Sequence, residues 1–333
     1  MQNHRRPIGS LPSAGVLSGF SMGLLLCLSA YAQLPPSARS LYTGTISSRV
    51  EAMTILGGDY GVGGGTFSKS SRDNNADISV SKFGGEGDIG APRQLGTLDI
   101  GWQPQLQGSM GYLSANNNFH NFVNGGDSSD YNTFAIQFGG GARFWFNDNF
   151  SIAPTVMGMY GHTENHYKGL SVFGRANEAQ ATREGLINWN ADTWTIRPSL
   201  NLQYQYVWKR TIFTLSTEPT YYYTESFNSS SSYVDISGSS WAWENKIDID
   251  VPLGVELFGH ELRTGGFFSR TELYDGLEEG FKTDAIYEAH GRIVLDFLGE
   301  LWKVQWIGLG VSHIWGGDNF TGWSFGADVA FRF

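Results

Sequence analysis

Cysteine is nearly missing from this chain: of 333 residues, only Cys27 carries a thiol. Disulfide frameworks, thiolate metal sites and cysteine nucleophiles are thereby excluded everywhere beyond that position. Long apolar runs are missing too. Past the first thirty or so residues, no stretch approaches the ~20 apolar residues that a spanning helix requires. Charge is sparse, at 16%, and leans acidic, with 22 Lys and Arg against 32 Asp and Glu. A chain of net charge −10 without a basic stripe binds nucleic acid poorly, so no nucleic-acid partner is expected. No phosphate loop, zinc pattern or dinucleotide fingerprint occurs, and neither metal nor cofactor is expected.

Aromatic residues (14%) and glycine (44 residues) are plentiful. The most telling stretch is the last one. From Trp323 onward the odd positions are Trp323, Phe325, Ala327, Val329, Phe331 and Phe333, and the even ones are Ser324, Gly326, Asp328, Ala330 and Arg332. Successive side chains on a strand point to opposite faces, so one face is apolar and the other polar. A transmembrane β-barrel has such strands, with the apolar face to lipid and the polar face to a lumen.

The front end agrees with an exported protein. His4, Arg5 and Arg6 precede an apolar stretch from Val16 to Leu28, which ends at Ala30-Tyr31-Ala32. This predicts a secretory signal peptide over residues 1–32, cleaved after Ala32. Leu26, just before Cys27, does not fit a lipoprotein signal. The leader removes two basic residues and no acidic one, so the mature chain is more acidic still.

Residues 59–333 divide into about twelve strand-like segments, near 60–69, 75–84, 95–114, 131–146, 150–164, 192–208, 211–226, 240–257, 261–274, 284–298, 302–315 and 320–333. Short connections (147–149, 209–210, 259–260, 299–300) alternate with long ones (115–130, 165–191, 227–239, 275–283). Short periplasmic turns and longer external loops are the asymmetry of an outer-membrane barrel. The stretch 85–94 is long where a short turn is due. In 302–315 the apolar parity changes between Trp306 and Ile307, which predicts a bulge. Aromatics collect near both strand ends: Trp208, Phe258, Trp302 and Phe333 by the short turns, and Trp194, Tyr221, Trp241, Trp243, Trp315 and Trp323 by the long loops. Two girdles at the membrane interfaces are expected. The fold class is thus all-β, a transmembrane antiparallel barrel.

Residues 33–58 form a separate N-terminal segment. Ser48 and Glu51 have capping-box spacing, Val50, Met53 and Leu56 give an apolar stripe, and Gly57-Gly58 follow. A short helix near 49–56 is expected, with the lumen as its place, as a plug.

A helix ahead of a twelve-stranded barrel whose last strand ends in Phe331-Arg332-Phe333 resembles the translocator domain of autotransporters, over about residues 45–333. Only about a dozen residues from Gln33 stand where such proteins carry a passenger, so the chain looks like a solitary autotransporter-type barrel. The resemblance implies that Phe331 and Phe333 form the assembly signal read by the barrel-insertion machinery. It also implies residence in the bacterial outer membrane, among its lipid and lipopolysaccharide.

Strand parity turns Glu244, Lys246, Asp248, Asp250, Glu261, Arg263, Glu288, His290, Arg292, Asp328 and Arg332 inward, with Glu256 and Asp296. Neighbouring strands are about 4.8 Å apart, so opposite charges can pair across the wall. The expected result is a lumen charge network, and Arg49 or Glu51 of the helix has the position to meet it. Catalytic groupings are thin. Ser312 and His313 are adjacent and therefore face opposite sides. His162, Glu164 and His166 lie near an outer loop, as do Asp275, Glu278, Glu279 and Asp284, which lack calcium-loop order. The expected role is structural or narrow-pore and not enzymatic. The alternatives are an outer-membrane lipase or protease, and a surface adhesin or receptor acting through the long loops.

Overall fold

The computed structural model describes residues 48–331, apart from 53, 57–60, 71–73, 97–99, 120–126 and 302–303. Twelve antiparallel strands follow one another around a closed barrel. They are β1 (Gly61–Ser70), β2 (Asn74–Asp88), β3 (Gly101–Phe119), β4 (Asp127–Trp145), β5 (Phe150–Lys168) and β6 (Asn190–Trp208). The others are β7 (Thr211–Ser229), β8 (Ser237–Leu257), β9 (His260–Asp275), β10 (Ala285–Leu301), β11 (Val304–Gly316) and β12 (Thr321–Phe331). The ladder closes where β1 pairs with β12, Gly61 opposite Asp328 and Ser68 opposite Thr321. Closure leaves no open edge, which is what hydrocarbon demands of a sheet. Most strands exceed the ~10 residues that cross a bilayer, so the barrel projects beyond it.

The two faces sort as alternation requires. Phe134, Ile136, Phe138, Leu200, Tyr204, Leu215, Ile247, Ile249, Leu253 and Val255 are exposed on the outer wall. The residues between them, such as Thr133, Gln137, Thr155, Thr195 and Ser240, are buried. An apolar exterior and a polar interior invert a water-soluble protein and suit a lipid solvent. Trp208 and Phe258 are exposed at the short-turn end. Trp241, Trp243 and Trp323 are exposed at the other, where Tyr221 packs on Trp241 at 4.7 Å and Trp194 on Tyr223 at 5.5 Å.

Local chemistry sets the tight turns. Asn147 Oδ1 accepts from the amides of Asn149 (2.9 Å) and Phe150 (2.8 Å), an Asx turn. Phe258 and Gly259 both have positive φ, as the two-residue β8–β9 hairpin needs. The expected bulge lies in β11: its pairing with β12 slips between Val304 and Trp306, so Leu309 and Val311 face outward.

Several boundaries differ from expectation. β10 continues through Gly299 and Glu300 to Leu301, after a register slip beyond Asp296, so the expected short connection at 299–300 is strand. The 85–94 stretch is loop only at 89–92. β2 runs on to Asp88, and Arg93–Gln94 pair back on Gly101–Trp102, extending the hairpin past the barrel rim. The long connections hold helices that period-2 reading passes over: α2 (Val172–Arg183), a 3₁₀ turn (Ser232–Val234) and α3 (Gly276–Phe281). The signal peptide, residues 33–47, Met53, Gly57, Gly58, Trp302, Arg332 and Phe333 lie outside the described residues, as do the side chains of Asp328 and Phe331.

Candidate functional site

The interior has two storeys. The long-loop storey holds α1, whose helical residues lie within 48–55, against the expected 49–56. Val50 and Leu56 of the expected stripe are fully buried. Val50 packs so close to β5 that a Cβ on Gly161 would stand 2.8 Å from its methyl. Only glycine fits there. Thr54 Oγ1 lies 2.9 Å from the Tyr222 hydroxyl on β7.

The two residues of the expected capping box are both buried. Ser48 is itself helical, and the Glu51 carboxylate turns to the wall. Thr224 donates to its Oε1 at 2.9 Å and Ser240 to its Oε2 at 2.5 Å. Arg49 lies over the Tyr131 ring, 3.7 Å from its centroid. Neither charge meets the expected acid–base network among the described residues.

Above and around α1 the loops close in. Trp189 packs edge-on against Tyr131 at 5.9 Å, and Val234 and Ile236 are buried beside Tyr222. Phe320 stacks on Phe67 at 5.8 Å and meets Phe281 edge-on at 6.0 Å. Leu277 of α3 is fully buried, while Asp275, Glu278, Glu279 and Asp284 around it are exposed. Lys69 ties this layer down by donating to the Phe281 carbonyl at 2.6 Å. At the N-terminus of α2, Asp127 Oδ1 accepts from the amides of Leu170 and Ser171, both at 2.8 Å, and Oδ2 from the Ser171 hydroxyl at 2.9 Å. Together the apolar side chains form a buried layer at this end of the barrel.

The short-turn storey is polar. Register separates the two: Ser240 pairs with Tyr222, whereas Asp248 and Asp250 pair with Thr214 and Ile212, close to the 209–210 turn. Arg292 grips Asp248 with both terminal nitrogens, at 2.6 and 2.8 Å. Arg263 Nε donates to Asp250 at 2.8 Å. Glu261 lies between Arg263 at 3.8 Å and Arg210 at 2.5 Å. Arg197 faces Glu218 at 3.8 Å, a pair that parity reading of β7 passes over because Glu218 is flanked by Thr217 and Pro219. Gln103, Gln105 and Gln107 form a buried row on β3, donating to Gly90 O, Asp88 and Glu86. Of the other expected members, Lys246 sits over the Phe267 ring at 4.5 Å, and Glu244 and Glu288 also face inward.

His290 Nδ1 is 2.8 Å from Ser312 Oγ, its register partner, and its ring stacks on Phe267 at 4.7 Å. Ser312 therefore has a histidine neighbour, but on the next strand. His313 faces outward, against Trp315 and Trp323. His162, Glu164 and His166 lie on the outer wall of β5, with His162 Nδ1 2.6 Å from Asp192. Among the described residues, no group of three or more His, Cys, Asp or Glu is arranged to hold a metal.

Residues 89–325 match the sequence profile described as a solitary outer membrane autotransporter β-barrel domain. The chain belongs to this family. Members reside in the bacterial outer membrane, so the apolar wall described above faces its lipid. The transport unit of the autotransporter AIDA-I from Escherichia coli is similar in fold. Its TM-score is 0.55 at 10% identity, covering 87% of this chain and 99% of that one. The translocator domain of NalP from Neisseria meningitidis gives 0.47 at 11% identity, over 89% and 99%. No curated protein sequence matches the chain. The solitary autotransporter barrel thus shares a translocator architecture, and its interior is filled at the long-loop end.

Proposed function

We propose that this solitary autotransporter barrel serves as a plugged, non-enzymatic envelope protein with a structural or narrow-pore role. The observation that carries this reading is the burial of α1, with Val50, Glu51 and Leu56 within 1% of complete enclosure. In this reading the short turns face the periplasm and the sealed end faces outward. Signal cleavage after Ala32 releases the mature chain, and Phe331 and Phe333 engage the insertion machinery. The charge network of Asp248, Asp250, Glu261, Arg263 and Arg292 stiffens a wet vestibule open to the periplasm. The enzymatic alternative draws little support from the His290–Ser312 pair, because Ser312 is only 3% exposed.

Conductance in planar bilayers tests the plug. The intact mature barrel should show small, rare openings, and deletion of residues 33–57 should raise conductance several-fold. Equal conductance in the two would remove the plug from the account.

A further inference from the structure

Glu51 is fully enclosed, and what surrounds it is hydroxyl rather than cation. Thr224 and Ser240 serve its two oxygens, and Thr224 is also 2.8 Å from Thr195. The cations on the surrounding elements are engaged elsewhere. Arg49 covers Tyr131, Arg197 faces Glu218 and the Tyr222 ring, and Lys246 covers Phe267. The remaining titratable groups nearby are Tyr131, Tyr222, inward-facing Glu244 on β8 and Asp235, which accepts from Ser226 at 3.0 Å. A buried carboxylate without a cation is costly, whereas a neutral carboxyl keeps both hydroxyl contacts. Resting on the plug reading, we propose that this seat is a proton-operated latch: α1 docks with Glu51 neutral and loosens when Glu51 ionises.

At about 12 Å long and enclosed by the barrel, α1 is not itself a membrane-crossing segment. Burial pushes the Glu51 carboxyl up to about 7, and the two hydroxyl donors only partly oppose it. The direction of linkage follows. Below the ordinary glutamate value, docked and released forms are both protonated and docking is at full strength. From there to about pH 7 only the released form ionises, so docking weakens by about tenfold per pH unit. Above that both are ionised and the loss levels off.

The experiment uses the reconstituted mature chain with Val50→Cys as a buried reporter, because the mature chain has no other thiol. Maleimide labelling at pH 5 and pH 8 is compared with the same reporter in a Glu51→Gln background, which cancels the reagent's own pH dependence. The expected ratio is roughly four-fold at pH 5 and on the order of hundreds-fold at pH 8, and conductance should rise over the same range only when Glu51 is present. A ratio that stays flat overturns the latch. If it stays flat while deletion of 33–57 still opens the barrel, the plug stands and the latch alone falls. If the deletion changes nothing, both fall. Should Glu51→Gln not fold, Ser240→Ala carries the test: losing a donor to the ionised form should increase labelling at pH 8, and no increase overturns the proposal.

Discussion

Arg292 reaches across an entire strand to hold Asp248. Arg292 is on β10, Asp248 is on β8, and the strand between them presents Gly265, which pairs with both Arg292 and Asp250. A Cβ at Gly265 would stand 3.2 Å from Arg292 Nε and 2.7 Å from the Ile249 carbonyl, so the guanidinium passes over bare backbone. Both partners are about one-sixth exposed, and the bidentate geometry fixes their relative position.

Removing either partner should therefore cost more than an open surface pair would. Arg292→Ala is expected to lose roughly 2–4 kcal/mol, because it strands Asp248 on a largely enclosed wall. The double variant with Asp248→Ala should lose clearly less than the sum of the two singles. The temperature of the heat-modifiable gel shift reads both, and additive losses would show that the pair is not coupled.

Gly265→Val is expected to cost roughly 1–3 kcal/mol by overpacking the path of Arg292. In an Arg292→Ala background the same substitution should cost less, which the same melting measurement decides.

Phe320 joins Phe67 and Phe281 in the buried apolar layer. Phe320→Ala should destabilise by about 3–5 kcal/mol if the cavity stays unfilled. It should also raise bilayer conductance while the barrel band on gels persists. A stable variant with unchanged conductance would move the seal elsewhere.

Asp127 carries three hydrogen bonds to residues 170–171. Asp127→Ala should release the start of α2 and speed proteolytic cleavage within 169–189, leaving the barrel fragment intact. Equal protection in both proteins would mean that Asp127 does not tether this loop.

Lipid contact can be read by fluorescence. A variant retaining only Trp208, which is exposed on the outer wall, should be quenched by brominated lipid. One retaining only Trp189, buried beneath the outer loops, should not. The reverse pattern would contradict the inside-out arrangement.

Much of this was legible in residue order. Ile247, Ile249, Leu253 and Val255 alternate with Asp248 and Asp250 by the geometry of any extended chain, so lipid and lumen faces follow without tertiary information. The irregular parity around Trp306 foretold the β11 bulge for the same reason. The helices within 169–189 and 276–284 were not legible. α2 is largely polar and α3 is a single turn, and both are held by contacts from distant strands, such as Asp127 to Ser171 and Phe281 to Phe320. The carboxylate of Glu51 was not legible either: its spacing from Ser48 is local, but its hydroxyl partners are 173 and 189 residues away.

Period-two alternation, short turns and aromatic strand ends by themselves determine a closed membrane barrel, because each is a property of neighbours along the chain. What fills that barrel was decided only in three dimensions. Whether an inward carboxylate meets arginine, as Asp248 does, or only hydroxyls, as Glu51 does, depends on strand register and on which wall a helix approaches. Those relations join residues 44 to 189 positions apart, and local periodicity contains no term for them.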